Sequence, residues 1–110
     1  RPEPVPAPAP TPGSALGVEV VTHPQEGVQF RVRIPPRDTA RVVTHDWPAD
    51  RPVHWEVVPV DGPAGAGPLV AWSRSVGRSA NGGVDHYFTI ENLSDAPVVA
   101  EARYTVVERP

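Results

Sequence analysis

A chain of 110 residues is the length of one domain, and about two thirds of its unfolded surface can be buried without metal or disulfide staples. Lysine, cysteine and methionine are absent, so all ten basic side chains are arginine; this excludes Schiff-base and pyridoxal chemistry, lysine-bearing phosphate loops, thiol nucleophiles, disulfides, iron–sulfur clusters and thiolate zinc sites. With thirteen acidic residues and a net charge of −3, the scattered arginines offer no phosphate-tracking surface, so nucleic acid is not expected as a partner.

Residues 1–13, "RPEPVPAPAPTPG", place proline at nearly every second position, which fixes φ, removes backbone donors and predicts an extended polyproline II arm. Such an arm is a stiff tether, or a strap that docks on a neighbouring subunit through Pro4, Pro6, Pro8 and Pro10. The start at Arg1, with no initiator Met and no signal-peptide pattern, is expected of a processed mature protein or an excised domain. No apolar run approaches the ~18–20 residues of a membrane helix, so no membrane insertion is expected.

From residue 14 to 110 the pattern turns to period two. "LGVEVV" is a weak strand. "VQFRVRI" is a clear one, with Val28, Phe30, Val32 and Ile34 on one face and Gln29, Arg31 and Arg33 on the other. The paired prolines of "IPPRD" turn the chain, "TARVVT" resumes a short strand, and "HDWPADRP" is a proline-bounded loop. "VHWEVVPV" sets Val53, Trp55 and Val57 on one side, with Pro59 marking an edge or a bulge. After the flexible "DGPAGAGP" comes "LVAWSRSV", with Val70, Trp72 and Val76 on a common face, and then the glycine-rich hairpin "GRSANGG".

The last two strands are "VDHYFTI", with Val84, His86, Phe88 and Ile90 alternating inward, and "PVVAEARYTVV", with Val98, Ala100, Ala102, Tyr104 and Val106 alternating inward. Between them, Asn, Ser and Asp of "ENLSDA" bond their own backbone and make a turn, so the segment is a connection and not a working site. About seven short strands with turn signals between them predict an all-β, single antiparallel sandwich of two sheets, with a small barrel as the alternative.

"FTIENLSDAPVVAEARYTV" resembles the bacterial immunoglobulin-like and fibronectin-like accessory modules, and "IPPRDTARVV" is similar to their proline turn followed by a threonine-led strand. The resemblance covers about a third of the chain. It implies an immunoglobulin-like, extracytoplasmic sandwich and assigns no functional residues; the order of the two motifs is reversed and the cysteine pair of antibody domains is missing.

No constellation for catalysis emerges, no cofactor is implied, and the chain is read as a non-enzyme. His23, His45, His54 and His86 show no short metal-ligand spacing; a metal would be sought first at His45, His54 and Asp46. Ser79 lacks the nucleophile-elbow context, and Glu56, Asp85 and Glu101 form no pattern beyond that of any acidic chain. Arg31, Arg33 and Arg103 are expected in cross-strand ion pairs with Glu101. Trp55 and Trp72 alternate with valines and are expected in the core, whereas Trp47, in the loop, and Tyr87, beside Asp85 and Thr89, are the expected exposed pair that meets a partner.

These features point to a non-catalytic, exported structural or adhesive sandwich, as in a surface assembly or filament, whose protein partner is another copy or a neighbouring domain. The second reading is a carbohydrate-binding accessory domain of a secreted enzyme that stacks a glycan on Trp47 and Tyr87; a virion decoration protein is the third.

Overall fold

The computed structural model describes residues 19–20, 26–65 and 67–107; the expected arm of residues 1–13, with Pro4, Pro6, Pro8 and Pro10, lies outside them, as does His23. Six strands of nine residues account for most of the described chain: β2 (Glu26–Ile34), β3 (Thr39–Trp47), β4 (Val53–Asp61), β5 (Val70–Arg78), β6 (Val84–Asn92) and β7 (Val98–Val106). They form two antiparallel three-stranded sheets, β2-β7-β4 and β3-β6-β5, and the two-residue β1 (Glu19–Val20) pairs with β2 at Phe30 and Arg31. There is no helix among the described residues.

The inward rows of β6, β7 and of β2 from Phe30 onward are those expected from the alternation, whereas a register shift between Val28 and Phe30 leaves Val28 half-buried and Gln29, expected on the polar face, buried. Phe30, Val32 and Ile34 of β2, Phe88 and Ile90 of β6, and Ala100 and Ala102 of β7 form one buried cluster with Ala40, Val42 and Val57. Burying each of the large aliphatic or aromatic side chains contributes roughly 1.5–3 kcal/mol. A second cluster of Trp47, Val53, Tyr104 and Val106 continues the core toward one end, and Trp55 packs against both clusters.

The strand order adds something that alternation does not contain. An immunoglobulin constant domain has sheets A-B-E-D and C-F-G, which in chain numbering would be 1-2-5-4 and 3-6-7. Here β7 lies between β2 and β4, and β5 lies beside β6, so the fifth and seventh strands have exchanged sheets. The cause is local to the connections. "GRSANGG" closes a true hairpin, β5 to β6, through hydrogen bonds from Ser79 N to Gly83 O (3.0 Å) and from Gly82 N to Ser79 O (3.2 Å). "IPPRD" and "NLSDA" instead each carry the chain from one sheet to the other.

Those two crossovers clamp each other. Arg37 N donates to Ser94 O at 3.1 Å and Asn92 N to Asp38 O at 2.9 Å. The buried Asn92 side chain sits at the junction: Nδ2 donates to Ile34 O (3.0 Å), Pro35 O (3.1 Å) and Ala96 O (2.8 Å), while Oδ1 accepts from Ser94 N (2.8 Å) and Ser94 Oγ (2.9 Å). Only a primary amide offers two donors and an acceptor in one plane, which is what two turns from different sheets require here. The segment is therefore a connection, as its composition suggests, and Asn92 has no free amide for glycan attachment despite the Asn-Leu-Ser sequence.

Candidate functional site

Trp47 is not in a loop. Strand β3 runs through it after a register shift between Thr44 and Trp47, where Asp46 adopts a left-handed φ of 63°. The extra residue of the bulge inverts the side-chain parity, so Trp47 points inward and is 0% exposed. Its ring stands edge-on to Trp55 and Tyr104, each at 5.0 Å, and its Nε1 donates to Thr44 Oγ1 at 2.8 Å. The expectation that Trp47 is exposed to a partner is thus corrected: no face of this ring is available. Gly83 permits the arrangement, since a Cβ there would lie 2.6 Å from Trp47 O.

Trp72 departs in the opposite direction. Expected in the core, it is 37% exposed, and Val76 on the same row is 54% exposed. Among the described residues nothing covers the outer half of this row, and most of β5 is exposed. Tyr87 is exposed as expected, at 45%, on the other face of β6, where its ring lies over Gly77. Ser75 is its cross-strand neighbour on β5 and Val43 on β3.

The ionisable groups settle into structural pairs. Glu101 is buried on the outer face of the first sheet and accepts from Arg31 Nε and Arg103 Nε, both at 2.8 Å, so that Arg103, and then Arg31, hold its carboxyl below the usual range against the cost of burial. The expected cross-strand pair of Arg31 with Glu101 is therefore present, whereas Arg103 reaches Glu101 along its own strand and Arg33 lies exposed on β2. His45 Nδ1 lies 3.3 Å from Asp85, whose other oxygen accepts from Asp46 N at 3.1 Å, while His54 lies exposed on β4 in the other sheet. Among the described residues no three His, Cys, Asp or Glu side chains are placed to hold a metal ion.

His86 is buried against the rings of Trp55 and Trp47, and Arg74 Nη1 donates to its Nδ1 at 3.1 Å. A guanidinium can only donate, so Nδ1 is the acceptor and the ring is neutral with its proton on Nε2. Burial, then Arg74, pushes the pKa down to about 4, with Asp85 opposing.

What remains as a candidate for contact with another molecule is the open side of β5. Leu93 N donates to Leu69 O and Ser79 N to Gly83 O, which fixes the hydrogen-bonding parity of the β5–β6 ladder. Odd-numbered residues of β5 face β6, and the N–H and C=O of Val70, Trp72, Arg74, Val76 and Arg78 point to the unpaired edge. Sequence reasoning missed this site because the row carrying it looks like any core row. No signal in the strand's own sequence marks it, since β2, β3, β6 and β7 are equally free of proline.

No protein-family model, no curated protein and no solved structure matches this chain.

Proposed function

We propose that the chain is a non-catalytic β-sandwich module that works by joining a protein partner, as a structural or adhesive unit outside the cytoplasm. In this reading residues 14–110 are an immunoglobulin-like sandwich domain with an altered strand order and residues 1–13 are its tether or inter-subunit strap, which the two packed antiparallel sheets support at the level of fold class. The observation that carries the reading is the open edge of β5: five backbone N–H and C=O pairs unpaired among the described residues, flanked by the exposed Trp72 and Val76. An edge of this kind is a template for another strand.

Sedimentation velocity of the full chain from dilute to concentrated solution tests it, together with titration of a synthetic peptide of residues 1–13 followed by amide NMR shifts. Concentration-dependent association, or shifts along β5, is expected. A chain that stays monomeric and ignores the peptide would remove the reading and leave residues 1–13 as a spacer.

Tyr87 supports a second reading. Its half-exposed ring stands on a flat sheet face among Ser73, Ser75, Gly77 and Thr89, a surface on which a pyranose ring could stack with hydroxyl partners around it. A glycan array run with the chain and with Tyr87→Ala decides this: binding lost in the variant supports it, and no binding by the parent chain ends it.

A further inference from the structure

We propose that β5 pairs antiparallel with β5 of a second copy, about a two-fold axis at Ser73, joining two three-stranded sheets into one of six. The inference rests on the reading above and names its partner.

The first argument is which edges are protected. Beyond β1, the described strands with an unpaired side are β3, β4 and β5. On β4 the ladder parity set by Val107 N to Pro52 O turns the odd residues outward, so Pro59 removes a donor from the open edge, and a register shift follows at Asp61. On β3 the bulge at Asp46 kinks the edge. These are ordinary devices against unwanted strand pairing. Strand β5 has neither proline nor bulge over nine residues.

The second argument is self-complementarity. With even-numbered residues facing the edge, two β5 strands can meet about Ser73, Arg74 or Ser75. An axis at Arg74 sets two guanidiniums directly opposite, which is repulsive. An axis at Ser75 sets Trp72 opposite Arg78 but Val76 against Arg74, so it gives cation–π pairs without the apolar ones. About Ser73, Trp72 of each copy lies opposite Arg74 of the other, Val70 lies opposite Val76, and the outer row meets as Ser73 with Ser73 and Ala71 with Ser75. That register gives two cation–π pairs and two apolar pairs, and covers the two side chains that the fold leaves open. Arg74, whose Nη1 reaches His86 Nδ1 within its own chain, disfavours the register that would set it opposite itself. A nine-residue edge is shorter than the ~20–30 residues a side of a standard interface, so a reversible, concentration-dependent dimer is expected.

The chain has no cysteine, which permits a direct test. Odd residues of β5 would form non-hydrogen-bonded pairs, with Cα atoms about 4.5 Å apart across the axis, inside the range a disulfide spans. Ser73→Cys in the full chain should therefore cross-link under mild oxidation at least about tenfold faster than Ser75→Cys, because pairing raises the local thiol concentration. Adding Trp72→Lys to Ser73→Cys should abolish that advantage. Equal rates, or a faster Ser75→Cys, overturn the proposal. If Ser73→Cys shows no advantage while the parent chain still associates, this pairing falls and a strap or partner contact elsewhere stands; if the parent chain does not associate, this pairing falls, and if it also ignores the peptide of residues 1–13, both fall.

Discussion

Asn92 shows how much one side chain can carry when it bridges two turns. Replacing it with Ala removes a donor from the carbonyls of Ile34, Pro35 and Ala96, of which the last two keep Asp38 N and Ser94 Oγ, and takes away the acceptor of Ser94 N. Each such loss costs about 1–3 kcal/mol, so Asn92→Ala should lower the urea-unfolding stability by roughly 2–4 kcal/mol. His86 makes a different kind of prediction. Its folded pKa of about 4 lies below the ordinary value of 6.5, so between those limits the unfolded chain binds more protons than the folded one. Stability should therefore fall as pH drops from about 6.5 toward 4, by up to ~3 kcal/mol from this group alone. Glu101 acts lower on the scale, because its depressed carboxyl pKa takes stability away only as pH falls below 4.5. Urea midpoints measured between pH 7 and 5 should thus flatten in His86→Gln, whose amide still accepts from Arg74; an unchanged slope would assign the acid sensitivity to other groups.

At the scale of the strand, β3 and β5 are mirror cases. Strand β3 gains a core tryptophan through one extra residue, and Gly83 of the neighbouring hairpin makes room for the altered backbone. Trp47→Ala should cost about 3–5 kcal/mol, and Gly83→Ala about 1–3 kcal/mol because the added methyl meets a backbone oxygen; thermal or urea unfolding measures both. Strand β5 keeps perfect alternation yet leaves its apolar row half bare. Period-two reasoning located the strands and the inward rows of β6, β7 and of β2 from Phe30 onward well, since each side chain needs only its own parity for that. It failed at Trp47, where a left-handed Asp changes the parity, and at Trp72, whose burial depends on whether a facing strand exists.

At the scale of the whole molecule, stability and association should separate. The buried side chains that hold the sheets together come from β2, β7 and Val57 of β4 on one side and from β3 and β6 on the other, whereas Trp72 and Val76 of β5 are exposed. Trp72→Lys should therefore change the urea midpoint little while reducing the sedimentation coefficient at high concentration to that of a monomer. Loss of both together would place Trp72 in the core after all. A protein assembled this way extends its sheet by self-pairing, because the β5 edge is consumed while the described edges of β3 and β4 are interrupted by a bulge and by Pro59.

The sequence by itself determined that this protein is all-β and antiparallel, which side chains alternate inward, where the turns fall, and which cysteine and lysine chemistries are impossible, because composition and residue-to-residue parity are local properties of the chain. Only the tertiary structure decided that β5 and β7 lie in opposite sheets from an immunoglobulin order, that Asn92 ties two crossovers together, that Trp47 is inside and that Trp72 is half outside. Each of these depends on which segment stands opposite another across some ten ångströms of core, and nothing in a strand's own alternation records its neighbour.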